Sequence, residues 1–204
     1  KTTSAINIDA VNVLTGEAED VVAVYDAGSS DFTNLGTEQV TITGTANASD
    51  LKLLLEDTNQ NITLGSVSSV SGSVSDLDDV LASARIVGWD TAYPPLTVSG
   101  SSVDADSLKS LADAVATKFG ADNKTDKVVS TATTFSGSAD NVLDILTSVV
   151  VSEPTDPNVT LSDDTIVADT LIDIKAQTGG TINVATASTV QGNADDVETV
   201  LAVS

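Results

Sequence analysis

"GNADDVETVL", residues 192–201, reads as a helix start: a glycine, Asn193 as cap, two acids, then Val197, Val200 and Leu201 on one helical face. Nearly the same phrase stands at 137–146 as "GSADNVLDIL" and at 16–25 as "GEAEDVVAVY". Aligned on the small residue that opens each helix, the chain holds seven copies of one pattern. They are "AEDVVAV" from Ala18, "ASDLKLL" from Ala48, "VSDLDDV" from Val74, "ADSLKSL" from Ala105, "ADNVLDI" from Ala139, "ADTLIDI" from Ala168 and "ADDVETV" from Ala194. Repetition at about 29 residues is the mark of a repeat architecture and decides how everything else is read.

Each copy has the chemistry of a helix N-terminus. Asn47, Ser73, Asp104, Ser138 and Asn193 precede the copies, and each can accept a backbone N–H. Glu17 is a poorer cap and Val167 is none. Acids in the first turn complement the positive end of the helix dipole. The spacing i, i+3, i+6 predicts one buried face, with Val21, Leu51, Leu77, Leu108, Val142, Leu171 and Val197 in equivalent positions.

A β-branched stretch comes before each helix. "VTIT" at 40–43, "LTVS" at 96–99 and "VTLS" at 159–162 alternate apolar and polar residues, the signal of a half-buried strand. A second class carries "ITL" at 62–64, "KVV" at 127–129 or "INV" at 182–184, then a run ending "SVSG", "TFSG" or "TVQG". The two classes alternate, so the true period spans two repeats.

A strand and a short helix repeated seven times predict an α/β fold. The expected form is a solenoid-like stack of about seven βα units with a parallel sheet, because no unit can bury its apolar face alone. A compact α/β sandwich is the competing architecture. No flexible linker or charge shift divides the chain, so 1–204 is expected to be a single repeat domain. Its units run roughly 5–39, 40–60, 61–95, 96–126, 127–158, 159–180 and 181–204. Residues 26–39, 84–95 and 152–158 break the rhythm; the first and last are loop-like in composition, and 84–95 holds Trp89, Tyr93 and two of the four prolines.

Composition narrows the chemistry. Thirty acids against eight bases give a net charge of −22, with Arg85 the one arginine. Phosphate binding needs clustered Lys and Arg, so nucleic acid and anionic membrane surfaces are poor partners. No apolar run is long enough for a membrane span. Cys, His and Met are absent, which removes thiolate chemistry, histidine–zinc sites and the Ser-His-Asp triad from this chain.

Carboxylates are the plentiful chemistry. A glycoside hydrolase or lyase needs only two, but here the acids repeat with the helix starts, which is the pattern of scaffold. No enzyme is expected, and a carboxylate-only glycoside-cleaving activity is the second alternative. No cofactor is expected, though Ca²⁺ is possible at Asp76, Asp78 and Asp79, at Asp163 and Asp164, or at Asp195 and Asp196. No EF-hand loop or glycine-rich nonapeptide accompanies them. Four sequons, opening at Asn47, Asn61, Asn123 and Asn158, are weak signals in so Thr- and Ser-rich a chain. Lys118, Lys124 and Lys127 form a cationic loop suited to an acidic neighbour, another copy included.

The alternation of "VTITGTANASDL" (40–51) with "SVSGSVSDLDDVL" (69–81) resembles repeats of very large secreted and cell-surface proteins of marine bacteria, cyanobacteria above all, and of some marine phage fibres. The resemblance implies an extracellular or cell-surface structural role, as adhesin, sheath or filament. A calcium- or glycan-binding adhesion module is the first alternative. The first and last repeats keep the consensus without polar capping units, so the ends are expected to meet further repeats, in one chain or by head-to-tail contact between copies. Ile6 and Ile8 at one end, Leu201 and Val203 at the other, and Trp89 and Tyr93 from the proline-bearing loop are the expected interface residues.

Overall fold

The computed structural model describes residues 5–89, 94–120 and 127–202, without the side chain of Ser29. The seven helices whose bounds lie among the described residues open on the residues that the repeat alignment names. The chain divides into two compact lobes, 1–97 and 98–204.

In the first lobe β1 (Ile6–Asn7) and β2 (Val13–Gly16) lead into α1 (Ala18–Asp31), followed by β3 (Phe32–Thr33), β4 (Gln39–Asn47) and α2 (Ala48–Asp57). Then come β5 (Ile62–Gly72), α3 (Val74–Ala82) and β6 (Ile86–Val87). Strands β2, β4, β5 and β6 lie side by side in that order, every pair parallel, and β1 pairs with β3. Helices α1, α2 and α3 pack in sequence along the sheet. β7 (Leu96–Val98) spans the lobe boundary.

The second lobe holds β8 (Ser102–Asp104), α4 (Ala105–Phe119), β9 (Val128–Ser130), β10 (Thr134–Gly137), α5 (Ala139–Leu146) and β11 (Val151–Ser152). It continues with β12 (Asn158–Leu161), β13 (Thr165–Val167), α6 (Ala168–Gln177), β14 (Ile182–Asn183), β15 (Thr189–Gln191) and α7 (Ala194–Ala202). Strands β8, β10, β12 and β14 form one parallel row, while β9 pairs with β11 and β13 with β15, also in parallel. Helices α4 to α7 pack each on the next.

The fold is thus α/β, with alternating βα units and parallel sheets. Five of the helices carry the side-chain caps expected of them. Asn47, Ser73, Asp104, Ser138 and Asn193 accept from the N–H groups of Ser49, Asp76, Ser107, Asn141 and Asp196. Glu17 and Val167 make no such bond. Of the seven equivalent apolar positions, Val21, Leu51, Leu77, Leu108, Val142 and Leu171 are buried, and Val197 is half-buried. Each fully buried leucine is worth about 1.5–3 kcal/mol relative to exposure.

Two expectations need correction. Residues 26–39 are not all loop: α1 runs on to Asp31, broken at Gly28, where φ is 52°. The break costs glycine little, and one further turn closes when Phe32 N–H donates to the Gly28 carbonyl. Several repeats also carry two strands before the helix rather than one. The chain turns between them at Ser99–Gly100 (Gly100 φ 130°), and in β5 the register against β4 slips instead.

Stacking explains the two-repeat period. Two residues before each helix the chain reads Gly16, Ala46, Gly72, Val103, Gly137, Ile166, Gly192. Wherever a glycine repeat follows an aliphatic one, the glycine lies on the alanine that opens the preceding helix. A Cβ on Gly72 would meet Ala48 Cβ at 2.8 Å, one on Gly137 would meet Ala105 Cβ at 3.2 Å, and one on Gly192 would meet Ala168 Cβ at 3.0 Å. The strand register at these joints is also constant, pairing Ala46 with Val70, Val103 with Phe135 and Ile166 with Val190. Glycine is needed there because the alanine methyl of the preceding repeat already crowds the place a Cβ would take.

Candidate functional site

Several acidic side chains hold neighbouring repeats together. Lys52 of α2 reaches Asp76 and Asp79 of α3, each at 2.7 Å. Its hydrogen bond, then that of Ser73, holds the Asp76 carboxyl below the usual range, and the Lys52 ammonium is raised in turn. Lys109 of α4 pairs with Asp113 at 2.8 Å and reaches Asp144 of α5 at 3.7 Å. The two lysines occupy the same helical position, and so do Asp79 and Asp144. At the third joint those places are taken by Ile172 and Thr199.

Asp106 serves the next helix. Its Oδ1 accepts from Asn141 Nδ2 at 2.8 Å, Ser138 Oγ at 3.0 Å and Ser138 N–H at 3.3 Å, and these bonds, Asn141 first, hold its pKa down. Asp163 Oδ2 accepts the Ala139 N–H at 2.7 Å. Asp196 accepts from Asn193, its own cap. Of the carboxylates read as possible calcium ligands, Asp76, Asp79, Asp163 and Asp196 therefore have protein partners. Among the described residues no three His, Cys, Asp or Glu side chains lie together in a way that could hold a metal ion.

One acidic residue escaped the sequence reading. Glu38 is 1 % exposed; its Oε2 accepts the Gly36 N–H at 2.7 Å. Nearby, Thr58 Oγ1 donates to the carbonyl of Gly36 at 3.3 Å, and Arg85 donates to the carbonyls of Thr58 and Leu55. Burial pushes the Tyr25 phenol above its usual value, with Thr58 opposing and Glu38 and Asp57 reinforcing. This polar cluster ties the ends of α1 and α2 to the loop between them. Glu38 is sealed from solvent and so from substrate. Its neighbours "GTEQV" carry no pattern that would have marked it.

The residues expected at interfaces separate. Ile6 (55 % exposed) and Leu201 (68 % exposed) lie on the surface, and Ile8 is half-exposed. Trp89 is 4 % exposed, buried rather than displayed on the surface. Tyr93 and Val203 fall outside the described residues, as does Lys124.

What the last repeat leaves open is the most distinctive surface feature. The helix-opening alanines Ala18, Ala48, Ala105, Ala139 and Ala168 are all buried, yet Ala194 is exposed, and α7 buries none of its residues. Between α6, β14 and α7 a groove of about 340 Å³ opens, lined mostly by apolar residues including Leu171, Ile172, Ile182, Val184 and Val200. At the other end Val13 is exposed, and Gly16, paired with Ile42 of β4, has no other repeat against its Cβ direction among the described residues. A Cβ there would meet only Val21 Cγ2 at 3.5 Å and Asp20 Cβ at 3.9 Å, both from its own repeat. No helix among the described residues is long and apolar enough to cross a membrane. No protein-family model, curated protein or solved structure matches the chain.

Proposed function

We propose that this chain is a structural, non-catalytic repeat protein of a cell surface, sheath or extracellular filament. Its βα units stack as a solenoid within each lobe, and it extends by joining its end repeats to further repeats, from other copies or from the same polypeptide. One observation carries the assembly part of this reading: the repeat at 181–202 displays the same apolar and alanine-bearing face that every earlier repeat in its lobe covers with a neighbour. The engagement of the acids in caps and inter-repeat ion pairs supports a scaffold over a carboxylate enzyme. The extracellular placement rests on the resemblance of the alternating phrases to cell-surface repeats.

Electron microscopy of the purified 204-residue chain, with light scattering across a concentration series, tests the reading. Ordered end-to-end polymers, or oligomers growing with concentration, are expected. A strict monomer at every concentration and salt would overturn the assembly part.

A further inference from the structure

Three internal joints give the pattern for the joint that the two exposed faces would make, with one difference: the repeat below carries Gly192 where the internal joints carry Ala46, Val103 or Ile166. In each internal case a glycine, two residues ahead of its helix, lies on the alanine opening the preceding helix. Gly16 is the one glycine of this series with no alanine against it, and Ala194 is the one helix-opening alanine left exposed. We propose that Gly16 of one copy seats on Ala194 of a second copy in a head-to-tail joint, and that clustered carboxylates make this joint dependent on ionic strength. The inference rests on the assembly reading above and specifies its partner and its control.

Carrying the internal register across places Leu14 beside Gly192, as Val70 lies beside Ala46. It also sets Asp195 where Asp106 stands, against the start of a helix. That helix is α1, whose cap Glu17 makes no side-chain cap bond, so its first N–H groups can take the carboxylate as Ser138 takes Asp106. The steric and capping parts therefore fit.

The charges do not. At two internal joints a lysine at the fifth helix position (Lys52, Lys109) reaches across to acids of the next helix. At the proposed joint that position is Glu198, and facing it, where Asp76 takes Lys52, stands Asp20. Glu17, Glu19 and Asp20 meet Asp195, Asp196 and Glu198, six acids without a base among these helix-start residues. Like charges across an interface oppose association, and salt screens them over about 10 Å at 0.1 M. A chain secreted into salty water would associate there and come apart in dilute buffer.

Sedimentation velocity on three proteins at about 10 mM and about 500 mM NaCl decides the matter. Wild type is expected to associate only at high salt. Glu198→Lys restores the internal staple toward Asp20, so it is expected to associate at low salt, at concentrations roughly tenfold below those at which wild type still sediments as a monomer. Gly16→Val fills the notch and is expected to stay monomeric at both salts. A Cβ at Gly16 meets only Val21 Cγ2 at 3.5 Å and Asp20 Cβ at 3.9 Å among the described residues, ordinary contact distances, and a melting temperature within a few degrees of wild type confirms that the variant folds. Salting-out would act on Gly16→Val as well as on wild type, so association of both alike places the contact elsewhere and overturns this joint while leaving end-to-end assembly standing. A Glu198→Lys variant no more prone to associate than wild type also overturns it. Monomers in all three proteins at both salts overturn the assembly reading itself.

Discussion

Gly72→Ala adds one methyl group, and the stacking account says where it goes. The new Cβ would lie 2.8 Å from Ala48 Cβ and 3.7 Å from the Ala48 backbone nitrogen. Carbon atoms prefer about 3.5–4.0 Å, so α2 and β5 must separate by several tenths of an ångström along a joint where Ala48, Leu51 and Leu77 are fully buried or nearly so. Overpacking of this kind costs about 1–3 kcal/mol. Alanine also restricts the unfolded chain, which returns about 0.4–1 kcal/mol. The net is a loss on the order of 1–2 kcal/mol, and for a lobe of this size each kcal/mol lowers the melting temperature by about 4–8 °C. Gly16→Ala is the internal control. Its methyl would meet nothing closer than 3.5 Å, so only the unfolded-state gain remains and stability should rise by about 0.4–1 kcal/mol. Urea titrations of both variants, performed at low salt to keep the chain monomeric, measure the contrast. Equal effects of the same sign would refute the close approach of Gly72 to Ala48 and with it the explanation of the two-repeat period.

Leu51→Ala should cost about 2–5 kcal/mol, because Leu51 is wholly buried, whereas Val197→Ala on the half-buried last helix should cost under about 1 kcal/mol by urea unfolding. On acidification two signs compete. Asp57 has its pKa raised by burial and by Asp26 and Glu56, so its ionised form costs stability, a penalty relieved as pH falls through that raised value. Asp76 and Asp106 have theirs lowered, so their stabilisation is present above the ordinary carboxylate value near ~3.9 and is lost as pH falls through the lower folded values. The melting temperature should hold or rise toward pH 5, then drop below about pH 4, and Asp106→Asn should flatten that drop. With a net charge of −22, melting temperature should climb between about 10 and 500 mM NaCl. Millimolar CaCl₂ should add nothing beyond NaCl of equal ionic strength, since Asp76 and Asp79 are held by Lys52 and Asp163 by the Ala139 N–H; a calcium-specific jump would reveal a site these partners do not account for.

Helix starts were legible because everything that makes one is local. A cap such as Ser73, an acid at Asp76 and an apolar Leu77 lie within five residues, and each acts on its own turn. Val197 is less buried than its six counterparts because its burial depends on a neighbouring repeat, which local spacing does not report. The second strand of a repeat was harder to see: "SSVD" at 101–104 has one apolar residue, Val103, and is a strand because β10 lies beside it. Glu38 looked like one more loop acid, and only the fold brings Thr58 and Tyr25 to it. The alternation of glycine with Ala46, Val103 and Ile166 stood in plain view, yet its cause lay between residues of successive repeats, at Gly72 with Ala48 and Gly192 with Ala168.

That division between local and stacked determinants bears on where recognition can reside. Inside a lobe Asp76, Asp106 and Asp163 are spent on caps and staples, and the apolar helix faces on neighbouring repeats. A change at such a position alters stability before it alters binding. The same groups on the first and last repeats described, Asp195 and Glu198 on α7 and Glu17 and Asp20 on α1, make no staple or inter-repeat cap among the described residues, and they flank the exposed Ala194 and Gly16. Substitutions there should leave folding nearly untouched and act on association instead. Specificity in such a chain therefore concentrates on repeats whose stacking face is exposed, as at Ala194, and the residues that set it are ordinary members of the repeat rather than a separate motif.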